Sequence, residues 1–444
     1  MNKLKNKKGI TLVALVVTIV VLLILAGASI NLILGDNGII AKAQEAQRKS
    51  AEATQNDLIG MNELAQQLEE QINGSAGSGS GNGGAGGSGT GTKVPAEATA
   101  ETAPYFPDNT FTKKEGTIDT GLVIQDANGN EYVWVVVPRT TAVYKTTGLG
   151  KTTFTDADYT SIEKDLKDYT STYVTTSGYS DTYAADTDNV GWLTSDEYTE
   201  LKNSMLKSVY ENGGFYVGRY EAGIGTNRTS DGPTNSDGKY TIEGMPAPVS
   251  KADAYPYTYV TRTQAQNLAS KVNSGTKTSS LMFGVQWDLV LAFMSKDTAK
   301  ITSTDVLTKN STTIGNYRDS TFQLSQTGQY AVYSNYSLSS TWNLATAATA
   351  NFVDSSRNKI AQSSYGNGIL VTTGTSEKNK VMNIYDIAGN VWEWILEKTS
   401  YTDVPCAYSG GGYGSSGSSF PAAGRDCGSA DSSDISIGFR VSLF

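Results

Sequence analysis

The hydrophobic pattern divides the chain into four stretches of different character. Gly9 to Leu34 runs 26 residues without a charge and is dominated by Val, Leu and Ile. At about 1.5 Å per residue this makes roughly 39 Å of helix, enough to cross a hydrocarbon core about 30 Å thick with some tilt. Gly35-Asp36-Asn37-Gly38 breaks the run, and Ala41 to Ile72 resumes a polar helical pattern in which Leu58, Met61, Leu64 and Leu68 recur three or four apart. Gly74 to Thr92 is almost wholly Gly, Ser, Ala and Thr, the composition of a flexible linker. From about Tyr105 to Phe444, short β-type runs alternate with turn residues. Residues 133–138 and 214–221 read as strands. Residues 263–272 have the spacing of a surface helix, and residues 286–294, with Trp287, Leu289, Leu291 and Phe293, show a second helical pattern. Residues 140–187 are rich in Thr, Asp and Tyr, show no strong apolar period, and read as an insertion or irregular excursion. The expected organisation is a leader and transmembrane helix over 1–34, a polar helical stalk over 35–73, a linker over 74–104, and an α+β domain with much irregular chain over 105–444.

Charge sharpens this picture. The first 50 of the 444 residues carry seven Lys/Arg against two Asp/Glu, which leaves 28 against 42 in the rest. An acidic bulk without a basic stripe argues against nucleic-acid binding. Lys3, Lys5, Lys7 and Lys8 precede the apolar run and predict an inside N-terminus, hence a single-pass membrane protein with its C-terminal domain on the cell surface. The absence of His removes imidazole ligands and His-based catalysis, and two Cys exclude a dense disulfide scaffold. Only 18% of residues are charged, while Gly numbers 46 and Tyr 25, a polar, loop-rich composition.

Two clusters carry candidate chemistry. In Tyr385-Asp386-Ile387-Ala388-Gly389-Asn390-Val391-Trp392-Glu393-Trp394, the carboxylates of Asp386 and Glu393 and the carbonyls of Gly389 and Val391 are oxygen ligands on a tight turn, suited to a hard cation such as calcium. Glu393 reads equally well as a structural carboxylate held by backbone N–H groups. Trp392 and Trp394 flank it and face the opposite way in an extended segment. Residues 406–434 hold eight Ser and seven Gly among 29, with Tyr408, Tyr413 and Phe420 and several Asp, the mixture that paratopes favour. The expected ligand surface comprises Tyr408, Gly412, Tyr413, Ser415, Ser416, Ser419, Phe420, Gly424, Asp426, Cys427 and Asp431, above a scaffold of Trp392, Trp394, Phe439 and Arg440. Arg440 is expected to close the domain through a buried ion pair. Cys406 and Cys427 form either a disulfide or two free thiols.

Three resemblances follow from these strings. The Gly389-Asn390-Val391-Trp392-Glu393-Trp394 run, Gly410-Gly411-Gly412-Tyr413 and Ile437-Gly438-Phe439-Arg440-Val441, with Phe215 to Glu221 and the Gln286-Trp287-Asp288 helix upstream in the same order, resemble the formylglycine-generating (sulfatase-modifying factor) family over roughly residues 130–444. The resemblance implies a C-type-lectin-like fold and calcium at the corresponding positions. The enzymes also carry a copper-binding cysteine pair after the Gly-Gly segment, whereas Gly414 to Phe420 contains no Cys, so an oxidase is not expected and no cofactor is required. Asn occurs 28 times in residues 1–390 and never in 391–444. That depletion resembles the variable proteins of diversity-generating retroelements, where adenine-directed mutagenesis rewrites Asn codons near the C-terminus. The resemblance implies a diversified receptor or adhesin whose partner is a protein or glycan on a cell or phage surface. Lys8-Gly9-Ile10-Thr11-Leu12-Val13 resembles a type IV prepilin leader, which implies cleavage between Gly9 and Ile10 and pilin-like assembly partners. Ala14 stands where pilins carry the Glu used in assembly, which favours a plain anchor or minor pilin-like subunit.

Overall fold

The computed structural model describes residues 95–320, 324–325, 327–334, 337–338, 341–344 and 368–444. The expected transmembrane helix, the stalk, most of the linker and the Gly9-Ile10 processing site lie outside the described residues. Among the described residues no helix is long and apolar enough to cross a membrane.

Two sheets and a buried helix build the core. The first sheet runs β1 (Thr112–Glu115), β2 (Val123–Gln125), β3 (Glu131–Val136), β5 (Gly214–Gly218), β19 (Val441–Leu443) and β8 (Ser279–Leu281), antiparallel throughout. The second runs β17 (Arg425–Gly428), β16 (Cys406–Ser409), β15 (Trp392–Thr399) and β18 (Ile437–Phe439), with β4 (Tyr179–Ser180) against the far end of β15. Its β15–β18 pair is parallel. Smaller ladders join β6 (Gly223–Ile224) to β7 (Tyr255–Pro256), β13 (Lys380–Val381) to β14 (Ile384–Tyr385), and β9 (Gln329–Ser334) to β10 (Ser337–Leu338), β11 (Asn343–Leu344) and β12 (Ile369–Val371). Strands β18 and β19 are separated by Arg440 alone, so one extended run leaves the second sheet and enters the first.

The helices begin where the sequence supplies caps. Thr155 and Asp158 form a capping box at α1 (Asp156–Tyr169), Thr194 and Glu197 at α2 (Ser195–Asn212), and Thr261 and Gln264 at α3 (Arg262–Ala269), each satisfying otherwise orphaned N–H groups. Helix α2 stops at Gly213, whose φ of 68° suits glycine; a Cβ there would sit 2.2 Å from the Glu101 carbonyl oxygen. Every residue of α4 (Gly284–Met294) is buried, because this helix lies against β3 of one sheet and β15 of the other. A single turn, α5 (Asp305–Thr308), follows.

The sequence reading places α3 and α4 correctly to within a few residues, but α3 is not the expected surface helix: seven of its eight residues are buried. Residues 140–187 are not an irregular excursion: they contain α1, which buries Ile162 and Leu166 in the main core. Helix α2, with Tyr198, Met205, Leu206, Val209 and Tyr210 buried, had no counterpart in the expected elements. Tyrosine takes several inward positions on both helices, and counting it as polar hides the 3.6-residue period.

Candidate functional site

The motif around Trp392 is first of all a buried polar frame. Arg440 is fully buried. Its Nε donates to both Glu393 carboxylate oxygens at 3.0 and 3.1 Å, and its Nη2 donates to Glu393 Oε1 at 2.6 Å and to the Tyr385 carbonyl at 2.8 Å. Its Nη1 donates to the Gly218 carbonyl at the end of β5, 2.9 Å away. The expected buried ion pair is therefore present, and it joins the two sheets. Beside it, Glu221 accepts from Asn390 Nδ2 at 2.6 Å and from the Val391 N–H at 3.1 Å. Burial first, then the charges of Asp386 and Glu393, push the Glu221 carboxyl well above the ordinary range. Asp386 and Asn390 occupy the left-handed region at φ 57° and 61°, which short amide and carboxylate side chains tolerate. Between them Gly389 (φ 73°) is obligatory, since a Cβ would meet the Asn316 carbonyl oxygen at 2.3 Å.

Both carboxylates of the expected calcium set are engaged within the protein. Glu393 is committed to Arg440, and Asp386 accepts from the Gly374 N–H at 2.9 Å and from Asn379 Nδ2 at 3.1 Å. Gly389 and Val391 contribute N–H groups, to the Gly410 carbonyl and to Glu221. Among the described residues no group of three or more acidic or thiol side chains is placed to hold a metal ion. Of the two readings of Glu393, the structural one matches the geometry, with a guanidinium rather than backbone N–H groups as its partner.

A second buried frame was not anticipated. Arg425, inside the expected ligand segment, turns inward to Glu397 (Nε to Oε2, 2.6 Å) and Asp288 of α4 (Nη2 to Oδ1, 2.9 Å). Glu397 is pushed up to about 7 by burial, against the pull of Arg425 and helped by Asp181 and Asp288. Asp181 caps α4 through the Gly284 and Val285 N–H groups. Gly284 is needed there because a Cβ would fall 2.0 Å from the Glu397 carboxylate. Arg425 is the only Lys or Arg in residues 406–434, and that was the available signal, although nothing in the string names its distant partners.

Residues 406–434 thus divide into an anchored and an accessible set. Tyr413 is not on the surface: it is 1% exposed and packs with Leu370, Val391 and Ile435. Gly412 is also buried, because its backbone lies against the Trp392 ring, where a Cβ would approach Cδ1 to 3.1 Å. Gly424 is buried against the Phe420–Pro421 backbone. The remaining expected residues are half-buried or exposed. Tyr408 and Phe420 pack edge-on against Trp392, with ring centroids 5.0 Å away in each case, and Tyr408 also meets Trp394 at 5.1 Å. Asp426 sits directly opposite Tyr408 in the β16–β17 ladder. Ser415, Ser416 and Ser419 lie in the connection between those strands, where Ser416 Oγ donates to Asp319 at 2.8 Å. Asp431 does not join them. It follows the Gly428 end of the ladder, whereas the connection leaves from the Ser409–Arg425 end, about 10 Å of strand away.

Cys427 pairs with Ala407 in the ladder, so Cys406, one residue along, points to the opposite face. Both cysteines are free thiols, and burial pushes the Cys406 thiol up to about 11. That geometry resolves the open question of their pairing.

One family model matches the part of the chain that carries the C-terminal motifs. Residues 325–443 match the family described as "Sulfatase-modifying factor enzyme 1-like domain", a shorter span than the motif order suggested. Among solved structures, Treponema denticola variable protein 1 is similar at 10% identity and a TM-score of 0.22, over 79% of this chain and 94% of that one. No curated protein shows a significant match. The fold is mixed α/β, and its C-terminal part, residues 325–443, is similar to the sulfatase-modifying-factor domain.

Proposed function

We propose that this chain is a surface-displayed ligand-binding protein, tethered to the membrane by its N-terminal helix, that uses its lectin-like domain to hold a diversified receptor or adhesin surface. The observation that carries the reading is the division of residues 406–434. Tyr413 and Arg425 fix the segment in the core, while Tyr408, Ser415, Ser416, Ser418, Ser419, Phe420 and Asp426 remain at least partly accessible around Trp392. Rigid aromatic area beside small polar groups suits a protein or glycan ligand. The absence of Asn from residues 391–444 supports diversification.

The family match favours a second reading, a formylglycine-generating oxidase. That chemistry needs a thiol pair after the Gly410–Tyr413 run, and the two cysteines instead lie on opposite faces of a ladder. Ligand binding is therefore the stronger reading.

Sequencing this locus from several isolates tests it. Substitutions are expected to concentrate at the accessible positions and to spare Gly410 to Tyr413 and Pro421 to Arg425. Differences scattered evenly over residues 105–444 would overturn the proposal.

A further inference from the structure

Away from the Trp392 surface, one buried cation lacks a counter-charge. Arg262 opens α3 and is 1% exposed. Its guanidinium stacks on the Trp192 ring, with Cζ 4.3 Å from the centroid, and its Nη1 makes one long hydrogen bond, 3.4 Å, to the Glu397 carbonyl. Nε and Nη2 have no acceptor. These two nitrogens form one edge of the planar guanidinium, the fork whose parallel N–H groups match the two oxygens of a carboxylate.

The neighbouring carboxylates are committed elsewhere. Glu397 faces Arg425, and Asp186 accepts from Asn189 and Thr263. Trp192 belongs to a strap over residues 183–193 that is held by a backbone bridge to Tyr240, the Val190 N–H donating to the Tyr240 carbonyl at 2.8 Å and the Tyr240 N–H to the Asp188 carbonyl at 3.1 Å, and by side-chain bonds. Thr261 Oγ1 donates to Asn189 Oδ1 at 2.6 Å, Asn189 Nδ2 to the Ala430 carbonyl at 2.9 Å, and Asn267 Nδ2 to the Val190 carbonyl at 3.1 Å. Trp192 itself is only half-buried, and displacing this strap would break the Tyr240 bridge but no strand of the two main sheets and no helix. A buried guanidinium with two unsatisfied donors costs stability that a bound anion returns, since each charge-assisted bond is stronger than its neutral counterpart.

We infer that the Nε/Nη2 edge of Arg262 beneath Trp192 is a binding site for a carboxylate. The inference is independent of the proposed ligand surface. The carboxylate is either that of a small free acid or one borne by a peptide.

The test is melting of the full-length detergent-solubilised chain, followed by tryptophan fluorescence, at constant ionic strength. Sodium acetate should raise Tm, by about 2–4 °C at roughly ten times its Kd and onward with the logarithm of its concentration, with a saturable change in emission. Chloride at the same ionic strength should not. Arg262→Lys, which keeps the charge but lacks the fork, should weaken the acetate response at least tenfold, and Trp192→Phe should retain the Tm response while losing the emission change. A short peptide with a free C-terminus, compared with its amide, distinguishes the sources: a response to acetate alone identifies a small free acid, and a response to the acid peptide but not the amide identifies a peptide carboxylate. No rise in Tm and no saturable emission change in the wild type, an equal response to chloride, or an undiminished response in Arg262→Lys overturns the inference.

Discussion

Replacing Arg440 by Met tests the idea that one buried guanidinium holds the two sheets together. Arg440 donates to Glu393 in β15, to the Gly218 carbonyl at the end of β5 and to the Tyr385 carbonyl, all without exposure to solvent. Methionine fills much of the volume but supplies none of these bonds. Removing one partner of a buried ion pair costs about 3–5 kcal/mol, because the remaining charge stays desolvated. Leaving the Gly218 and Tyr385 carbonyls without a donor adds about 1–3 kcal/mol each. The total approaches the whole stability of an ordinary domain, about 5–15 kcal/mol. Guanidinium chloride unfolding followed by circular dichroism should therefore show a collapse of the midpoint, or no cooperative transition.

The pH dependence gives this prediction a sign. Burial raises the Glu393 carboxyl while Arg440 lowers it, so the variant must raise it further. A carboxyl whose folded pKa lies above its unfolded value favours the fold when protonated, and that contribution is lost as pH rises through the folded value. The defect in Arg440→Met should accordingly be smaller at pH 5 than at pH 8. The double variant Glu393→Gln/Arg440→Met should recover part of the loss, since no buried charge is then left unpaired. A single variant within about 1 kcal/mol of wild type, or a double variant no better than the single, would refute the reasoning.

Three further outcomes follow from the same geometry. Tyr413→Ala should cost about 3–5 kcal/mol in denaturant unfolding, as a fully buried aromatic, whereas half-buried Phe420→Ala should cost no more than about 2 kcal/mol; equal losses would reverse their assignment to core and surface. Thiol titration with an aromatic disulfide reagent should count two free thiols after denaturation without reductant, with Cys406 protected in the native state, and a count of zero would show a disulfide. Because Glu397 is raised to about 7, its contribution to stability should fall as pH rises from about 4.5 through 7, and Glu397→Gln should flatten the stability profile over that range. An unchanged slope would exclude Glu397 as its source.

What the sequence made legible was whatever a short string encodes locally. Trp392, Glu393 and Trp394 alternate in or out of a strand by period alone, and Phe439-Arg440 marked an inward cation beside a bulky core residue. The left-handed turn at Asp386, Gly389 and Asn390 likewise leaves a trace in residue type. Long-range partners leave none. That Arg425 meets Glu397 and Asp288, or that Arg262 meets Trp192, depends on strands and helices brought together from 28 to 137 positions away. Composition misled in one direction: Gly412 and Tyr413 were expected on the ligand surface, yet the glycines from Gly410 to Gly412 are small because Trp287, Tyr317 and Trp392 press against the backbone. Small side chains in a tight place and small side chains in a flexible one read alike until the neighbours are known.

That distinction bears on how the proposed binding segment could change without unfolding its domain. A stretch of 29 residues free to vary throughout would place core positions at risk, and core losses of about 2–5 kcal/mol consume most of a domain's stability. Here the segment is fastened near its middle by Tyr413 and again at Arg425, and its first strand is fastened by pairing with β15. Between those points Ser415, Ser416, Ser418 and Ser419 make contacts to one another and to Asp319, and substitutions at such accessible positions ordinarily shift stability by less than about 0.5 kcal/mol. The two buried arginines make the arrangement tolerant by placing the cost of organising the segment in the interior. Arg440 ties β15 to the first sheet, and Arg425 ties β17 to α4, so the ladder that carries Tyr408 and Asp426 is held from beneath at both of its neighbours. Surface chemistry can then be exchanged on a frame whose geometry does not depend on it.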